Sequence, residues 1–285
     1  MSDVQFAIAN ESDVRELAIR RWPDDASRRL YVNLANTAPT GAWVARDEGT
    51  AIAIAFAHES EDERYVSELY VEPSFRRMGI GWKLLSEITQ DGGDASISGL
   101  VEANDPASLA FFLRRGLALQ VPVLRVAGAI PREEELARMA AGDYRFSVVP
   151  VDPHAQRFAL EGLDRDVRGS ARPLDHVGFA ELASGTAFML NDECVGYAYV
   201  WPDGRIGPIA AASGAYLVQF FAFALASLVH TYGASWCTAL VPGNNVRVMR
   251  AAVRCGLTLD QVRIFASDQP ILDLSRYVGF HSLAF

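Results

Sequence analysis

Two glycines and an arginine precede a helical pattern in the segment SFRRMGIGWKLL, residues 74–85. Arg76, Gly79 and Gly81 have the spacing R-x-x-G-x-G, and apolar residues then recur with the period of a helix. The N-terminus of a helix presents unsatisfied N–H groups and the positive end of the helix dipole, so it attracts anions. Glycines let the backbone approach such an anion closely. The segment therefore predicts an anion-binding loop.

Two common phosphate-binding motifs do not fit this loop. A dinucleotide fingerprint requires a third glycine three residues after the second, where Leu84 stands. A P-loop requires Gly-Lys-Ser/Thr, whereas Lys83 follows Trp82. The anion is therefore carried by another kind of ligand.

The longer string LYVEPSFRRMGIG, residues 69–81, resembles the acyl-CoA loop of the GNAT N-acetyltransferase superfamily, and the resemblance spans about residues 3–128. It implies acetyl-CoA as co-substrate, whose pyrophosphate lies on the backbone amides of residues 77–82. It also implies that the pantetheine arm pairs with the backbones of Leu69 and Val71, and that the Val71 amide stabilises the reacting carbonyl oxygen. The loop residues assigned to the cofactor are Arg76, Arg77, Met78, Gly79, Ile80, Gly81 and Trp82.

A second helix start extends the resemblance. In this family an asparagine stands eleven residues before a glycine that ends a helix; here Asp105 has that spacing to Gly116, with Asn104 just before it. Either Asn104 or Asp105 is expected to meet the cofactor arm, and Asp105 has the alternative role of helix cap. Ser108 and Phe111 complete the predicted cofactor site.

Transfer of an acetyl group to an amine needs a neutral nitrogen, and a lysine-like amine has a pKa of about 10.4, so a general base helps. Glu68, next to Leu69, is the candidate base, with a solvated strand carboxylate as the alternative reading. Val66, Glu68 and Tyr70 are expected on one strand face. Tyr70 and Tyr65 are secondary catalytic candidates.

The sequence departs from the family pattern at one catalytic position. Many members carry a tyrosine four residues before the helix-ending glycine to protonate the leaving thiolate, whereas this chain has Phe112. The thiolate leaves unprotonated, or another hydroxyl, such as that of Ser108 or of a tyrosine in the second copy, substitutes. The main hypothesis is transfer of an acetyl group to a primary amine of a small molecule or peptide; the alternative is a non-catalytic acyl-CoA-binding or sensing protein.

Composition excludes several classes of protein. Of the 285 residues 50% are hydrophobic, and the net charge of -9 argues against a nucleic-acid partner. Cys194, Cys237 and Cys255 have no CxxC spacing, so they indicate a reduced, cytoplasmic protein without a metal site. The apolar run 215–230 predicts a buried helix rather than a membrane span. A monomer or homodimer is expected.

The chain repeats itself. DVQFAIA from Asp3 matches DYRFSVV from Asp143, and NDPASLAFFLRRGL from Asn104 matches NNVRVMRAAVRCGL from Asn244, both at an offset of 140. The repeat predicts two tandem GNAT-like domains of the α/β (α+β) class, each a mixed, mostly antiparallel sheet flanked by helices. The predicted boundaries are 1–130 for the acyl-CoA domain, 131–142 for a connecting helix that begins at Pro131, and 143–285 for a degenerate copy.

Within the first copy the pattern predicts a strand, two helices, three strands, a helix, a strand, a helix and a strand. Ser12 or Asp13 is the expected cap of the first helix. A hairpin turns at Glu48-Gly49, and Gly92-Gly93 stops the helix of the anion-binding loop.

The second copy lacks the glycine pair and the arginine, so it is not expected to bind acyl-CoA in the usual way. Tyr197 and Tyr199 alternate onto one strand face and could line a cleft. The segment 164–176, with Asp164, Arg168, Arg172, Asp175 and His176, is expected to be a loop that recognises a charged substrate or holds a structural Asp–His pair. A weaker anion site would use Pro208, Ala211 and Ser213.

Overall fold

The computed structural model describes residues 4–90, 95–142, 144–270 and 273–285. Cα packing divides the chain into two compact units, Met1–Gly99 with Ala284 and Leu100–Leu283 with Phe285. The units follow spatial packing, whereas the repeat is a property of the sequence, so the domain boundaries at 130 and 143 stay a prediction. Four residues named in the predictions lie outside the described residues: Asp3 and Asp143, where the two copies of the repeat begin, and Gly92 and Gly93.

The first unit has the element order expected from the sequence. Its elements are β1 (Gln5–Ile8), α1 (Glu11–Arg21), α2 (Asp25–Thr37), β2 (Trp43–Asp47), β3 (Thr50–Ser60), β4 (Glu63–Val71), α3 (Ile80–Thr89) and the start of β5 (Ser96–Glu102). The cap of α1 is Asn10, so the prediction of Ser12 or Asp13 is wrong. Asn10 accepts from the Asp13 amide at 3.0 Å, and Asp13 accepts from the Asn10 amide at 2.9 Å, a reciprocal capping box.

The sheet of the first unit runs in the order β1-β2-β3-β4-β5. The first four strands are antiparallel, and β5 is parallel to β4. The predicted hairpin turn is confirmed: Glu48 and Gly49 have φ of 49° and 84°, the positive values that a tight two-residue turn requires. The ring of Tyr31 packs edge-on against Phe56, with centroids 4.9 Å apart, and anchors α2 on the sheet.

A β-bulge in β4 changes which residues share a face. Val66 pairs with Ala57 while Glu68 pairs with Phe56, so Ser67 is an extra residue on β4. Glu68 and Tyr70 therefore share a face, but Val66 lies on the opposite one. The expectation of a common face for all three residues is wrong because alternation assumes an uninterrupted ladder.

The second unit continues from the end of β5. Its elements are α4 (Pro106–Arg114), β6 (Ala118–Ala129), α5 (Glu133–Ala140), β7 (Ser147–Pro150), α6 (Arg157–Arg168), α7 (Pro173–Leu182), β8 (Ser184–Leu190), β9 (Glu193–Val200), β10 (Ile206–Ala211), α8 (Leu217–Tyr232), β11 (Trp236–Pro242), α9 (Val246–Arg254), β12 (Thr258–Ser267) and β13 (Tyr277–Val278). Two expectations need correction. The segment 164–176 is mostly the helices α6 and α7, not a loop, and α5 begins at Glu133 after Arg132 as cap rather than at Pro131.

The offset of 140 is visible in the structure. α4 begins at Pro106 and α9 at Val246, and the strands that follow begin at Ala118 and Thr258. β6 lies between β11 and β12 and is antiparallel to both. A strand of the first sequence copy is thus packed between two strands of the second, which explains why the compact units do not follow the repeat.

Helix α8 forms the core of the second unit, as the apolar run predicted. Its residues Phe220, Phe221 and Leu225 are fully buried. The ring of Phe220 stacks on that of Phe188 with centroids 3.8 Å apart. In the part of the chain that the structure describes, no helix combines the length and apolarity needed to cross a membrane.

Candidate functional site

The predicted anion-binding loop joins β4 to α3 in the first unit. After a short turn at Pro73–Phe75 the chain passes through Arg77 and Gly79, which have positive φ values of 64° and 82°. A Cβ placed on Gly79 would meet no protein atom within 4 Å, so glycine is required there by its backbone angle and not by crowding. The exposed Arg76 donates from Nε to the Val71 carbonyl at 3.1 Å, which ties the loop to the end of β4.

The loop ends in a helix start that faces outward. Gly79 is the N-cap of α3, and the first bond of the helix runs from the Lys83 amide to the Gly79 carbonyl at 3.1 Å. The amides of Ile80 and Gly81 precede that bond and have no acceptor within the helix. Ile80 and Leu84 are buried and hold the helix on the sheet. The seven loop residues assigned from the sequence, 76–82, thus form one continuous surface at a helix N-terminus.

The end of β4 beyond the bulge carries the other predicted backbone contacts. The ladder between β4 and β5 comprises four residue pairs, from Glu63–Ser96 to Val66–Gly99. Leu69 and Val71 lie beyond this ladder and are half-buried.

Glu68 lies at the centre of a cluster that the sequence did not reveal. Its side chain is only 7% exposed, and Arg21 at the end of α1 approaches its Oε1 at 3.4 Å. The Arg21 guanidinium also lies over the ring of Tyr70, 4.5 Å from its centroid. These residues come together because the end of α1 packs over the bulged part of β4, and nothing in the separate segments indicated it.

Burial controls the electrostatics of this cluster. Burial raises the pKa of Glu68 above the usual value of a glutamate, although Arg21, the Leu69 amide and the Trp22 side chain oppose it. Burial lowers the pKa of Arg21, but the attraction of Glu68 outweighs burial and raises it overall. Burial followed by the charge of Glu68 raises the pKa of Tyr31 well above its usual range. A carboxylate whose pKa is moved upward is suited to accept a proton near neutral pH.

Tyr70 and Tyr65 occupy different environments. Burial, then a hydrogen bond to Glu72, raises the pKa of Tyr70. Tyr65 lies on the same face of β4 as Glu68 and is 2% exposed. Tyr70 is therefore the more accessible of the two secondary candidates.

The remaining predicted cofactor residues belong to the second unit. Asp105 caps α4, accepting from the amides of Ala107 at 3.1 Å and Ser108 at 3.2 Å, and the Ser108 hydroxyl donates to it at 2.8 Å. Phe111 is half-buried, 5.4 Å from the buried ring of Phe112. The capping role of Asp105 is thus confirmed, while contacts of Asn104, Asp105, Ser108 and Phe111 with a cofactor stay predictions.

The polar residues of segment 164–176 form a buried network instead of a substrate loop. Asp164 accepts from Arg172 Nε at 3.2 Å and lies 3.0 Å from His176 Nε2, and Tyr197 donates to its other oxygen. His176 Nδ1 lies 2.9 Å from the Tyr199 hydroxyl. Each of these side chains is at most 2% exposed. The structural reading of the Asp–His pair fits this burial, and the two tyrosines line no open cleft.

Arg172 dominates the charge balance of this network. Burial by itself would raise the pKa of Asp164, but the attraction of Arg172 and the bond from His176 hold it well below the usual range. Asp164 is therefore a permanent carboxylate, and its interactions stabilise the packing of α6 and α7 on the sheet. Pro208 and Ala211 are buried strand residues, whereas Ser213 is half-buried, so the three residues of the weaker predicted anion site are not accessible together.

Residues 277–279 fill the space between β10 and β11, a feature the sequence did not suggest. These strands meet at a single parallel bridge between Arg205 and Thr238. Beyond it β13 pairs with β10, and Gly279 exchanges two backbone hydrogen bonds of 2.8 Å with Leu240. Strand β10 also has a bulge, between Ile206 and Ile209. The residue that follows this bulge is Ile209, whereas the residue that follows the bulge of β4 in the first unit is Glu68. The second unit therefore offers neither a free strand edge nor a carboxylate at this place.

Comparisons with known proteins agree with this geometry. Residues 11–117 match the model of the acetyltransferase (GNAT) family. A proposed acetyltransferase from Pyrococcus horikoshii aligns over 99% of this chain and 95% of its own, with a TM-score of 0.73 and 14% identity. A tandem GNAT protein from the clavulanic acid biosynthesis pathway aligns over 94% of this chain and 99% of its own, with a TM-score of 0.63 and 16% identity. A GCN5-related N-acetyltransferase from Sphaerobacter thermophilus aligns over 95% of this chain and 98% of its own, with a TM-score of 0.61 and 15% identity.

Identities this low show the fold alone, and no curated protein sequence matches this one. The structural likeness nevertheless extends along nearly the whole chain and includes a protein with two GNAT domains. Residues 11–117 thus match the GNAT acetyltransferase family model, and over its length the chain has the fold of a tandem GNAT protein.

Proposed function

We propose that this protein is an acetyl-CoA-dependent N-acetyltransferase that acts on a primary amine of a small molecule or peptide, with its working site in the first sequence copy. The observation that carries the proposal is the joint presence of an outward-facing helix N-terminus at Gly79 and a buried carboxylate, Glu68, on the strand that leads into it. The match of residues 11–117 to the GNAT family model supports acetyl transfer in general.

The loop supplies binding and the strand supplies positioning. The amides at the start of α3 would hold the pyrophosphate of the coenzyme, with Arg76 and Arg77 adding positive charge. The backbone of Leu69 and Val71 would align the pantetheine arm, and the Val71 amide would stabilise negative charge on the acetyl oxygen. Each helix-end interaction contributes only about 0.3–1 kcal/mol, so affinity requires several donors acting together.

Glu68 would take the proton from the acceptor ammonium. Only a small fraction of an amine with a pKa of about 10.4 is neutral at pH 7, and forming it costs about 4–5 kcal/mol. The neutral nitrogen then forms a bond to the acetyl carbon, the carbon–sulfur bond breaks, and coenzyme A leaves as a thiolate, while the extra proton on the acylated nitrogen passes to solvent. Since a thiol pKa is about 8.5, the thiolate can leave without the tyrosine that Phe112 replaces.

The test separates binding from chemistry. Glu68→Gln keeps the size of the side chain and removes the base, so we expect unchanged affinity for acetyl-CoA and a loss of turnover of about 10²–10⁴-fold. Glu59→Gln is the matched control, because Glu59 also lies on a strand of this unit and pairs with an arginine, Arg64, at 3.6 Å. Turnover is read by thiol release with a panel of amines.

One observation favours a second candidate function, a non-catalytic acyl-CoA-binding or sensing protein. The position of the usual thiolate-protonating tyrosine holds the buried Phe112. Under this alternative, acetyl-CoA raises the melting temperature but no amine in the panel yields thiol. Equal turnover in Glu68→Gln and wild-type protein would instead leave an enzyme without the base assigned here.

A further inference from the structure

Arg21, the last residue of α1, contacts two residues on one face of β4. Its Nη2 lies 3.4 Å from Glu68 Oε1, and its guanidinium lies over the ring of Tyr70, 4.5 Å from the ring centroid. Glu68 and Tyr70 share that face beyond the bulge, so one side chain spans both of them. A planar guanidinium can stack on a ring with its face while its edge meets a carboxylate, which an ammonium group cannot do. The position of Arg21 is thus defined from two sides.

The backbone that carries Arg21 is also held in place. Ala18, one turn before the end of α1, is buried, and its carbonyl accepts from the Trp22 amide at 2.9 Å. Arg28 on α2 donates from Nε to the Trp22 carbonyl at 2.7 Å and from Nη2 to the Pro23 carbonyl at 3.0 Å. These bonds fix the turn between α1 and α2, so the place of Arg21 over β4 does not depend on its own side-chain contacts alone.

The groups that face the Glu68 carboxylate come from three elements. Arg21 and Trp22 belong to the end of α1, Tyr31 belongs to α2, and Tyr70 lies on β4 itself. Tyr31 is fully buried, and its hydroxyl makes no hydrogen bond with any residue that the structure describes. Burial, and then the charge of Glu68, raises the pKa of Tyr31 well above its usual range, so this side chain stays neutral. Arg21 is therefore the one cation among these groups.

A cation at this place decides whether Glu68 can act as a base. A buried carboxyl with no opposing charge can hold its proton at neutral pH, and it cannot then accept another. Burial does raise the pKa of Glu68, and Arg21 is the largest of the effects that oppose burial. The same contact ties Oε1 to a guanidinium that α1 holds in place. One ion pair thus acts on both the charge and the orientation of the carboxylate.

We infer that Arg21 is a positioning residue for the proposed base, which fixes the negative charge and the orientation of the Glu68 carboxylate. The inference rests on the proposed function, in which Glu68 takes the proton from the acceptor ammonium. Arg21 acts through Glu68 and not on the reacting atoms. Its two contacts have separable effects: its charge keeps Glu68 deprotonated, and its stacking on Tyr70 fixes the direction in which the carboxylate is held.

The test compares Arg21→Met with the matched control Arg20→Met. Arg20 is the preceding residue of α1, lies likewise 3.4 Å from a glutamate, Glu72, and has a similarly exposed side chain, 37% against 35%. Arg20 also donates to the Ala51 carbonyl at 3.2 Å. A general loss of packing or of positive charge at the end of α1 would therefore appear in both variants.

The ionisation of Glu68 is measured directly, by ¹³C NMR of labelled glutamate carboxyl groups against pH. The resonance of Glu68 is assigned by its absence in Glu68→Gln. In Arg21→Met the midpoint of its titration should move upward by about one pH unit, whereas in Arg20→Met it should stay in place. The expected movement is at the low end of what an adjacent opposite charge causes, because solvent screens the partly exposed Arg21.

Arg21→Lys separates charge from orientation. Lysine restores the positive charge, so the Glu68 midpoint should return most of the way to its wild-type value. Lysine cannot stack on Tyr70 and meet the carboxylate at once. At a pH above the midpoints of all variants, turnover should therefore stay about 10-fold below wild type with the KM for acetyl-CoA unchanged, because a misplaced catalytic group loses part of its effect.

Each outcome bears on a different part of the inference. An unchanged Glu68 midpoint in Arg21→Met, or an equal movement in Arg20→Met, would overturn the role of Arg21. Full recovery of turnover in Arg21→Lys would overturn the part assigned to stacking. If Arg21→Met does not fold, Arg21→Gln replaces it with the same expectation. The titration requires no turnover, so a wild-type protein that releases no thiol refutes the proposed function, whereas the midpoints decide the role of Arg21 separately.

Discussion

Gly79→Ala isolates the backbone requirement of the loop. Gly79 has a φ of 82°, and a Cβ there would touch no protein atom within 4 Å. The substitution therefore introduces no clash, and its cost is that of holding an alanine in the left-handed region, about 1–2 kcal/mol. For a protein of this size that corresponds to a fall in Tm of about 2–8 °C.

Gly49→Ala is the matched control in the same unit. Gly49 has a φ of 84° in the hairpin turn and likewise has no protein atom within 4 Å of the added Cβ. Both variants should lose similar stability, because both add the same group at the same backbone angle. Only Gly79→Ala should also lose affinity for coenzyme A, since only that residue opens the helix start assigned to the pyrophosphate.

The expected loss of affinity follows from the donors involved. A hydrogen bond to a charged group is worth about 1.5–3 kcal/mol, so moving one loop amide away from the pyrophosphate weakens binding by about 10–100-fold. Differential scanning fluorimetry gives the stability of both variants, and calorimetric titration with coenzyme A gives the affinity. Equal affinities in Gly79→Ala and Gly49→Ala would refute the assignment of the loop, whatever the two stabilities.

Three further predictions test other parts of the molecule. Turnover should fall as the pH is lowered, because the base Glu68 works in its deprotonated form. The midpoint of this fall should lie above the usual pKa of a glutamate, because burial raises the pKa of Glu68, and the fall should be absent in Glu68→Gln. Asp164→Asn should lower the free energy of unfolding in urea by about 3–5 kcal/mol, since it leaves the buried Arg172 without its counter-charge, whereas the exposed Asp166→Asn on the same helix should change it little. Gly279→Ala should lower the free energy of unfolding by about 1–3 kcal/mol, because the new Cβ would lie 2.4 Å from Phe285 Cδ2. Gly214→Ala is its control and should change that free energy little, because the nearest atom to its new Cβ is 3.9 Å away.

Local signals in the sequence were enough to predict most elements of the first copy. The helix Asp25–Thr37, the turn at Glu48-Gly49 and the Asp105 cap before Pro106 each follow from residue types that act over a few positions. The wrong cap of α1 has a similar origin: Asn10, Ser12 and Asp13 all favour a cap, and only the capping box distinguishes Asn10 from Asp13.

Features that depend on distant packing could not be predicted. Arg21 and Glu68 are 47 residues apart, and only the fold brings the end of α1 over β4. The bulge at Ser67 changes the face of Val66 without any signal in ERYVSELYV. The segment 164–176 was expected to be a loop, but its turn residues Gly169, Ser170 and Pro173 only separate α6 from α7.

The difference between the two sequence copies lies in what happens at one strand edge. In the first unit β4 continues beyond its ladder with β5, and the residue after its bulge is Glu68. In the second unit the corresponding edge of β10 pairs with β13, and the residue after the bulge is Ile209. Strand pairing through the backbone requires no particular side chains, so another strand of the protein can occupy an edge that a ligand arm would otherwise pair with. Loss of the glycine loop and pairing of β13 with this edge would therefore each act against binding of an acyl-CoA by the second copy, one at the pyrophosphate and the other at the arm.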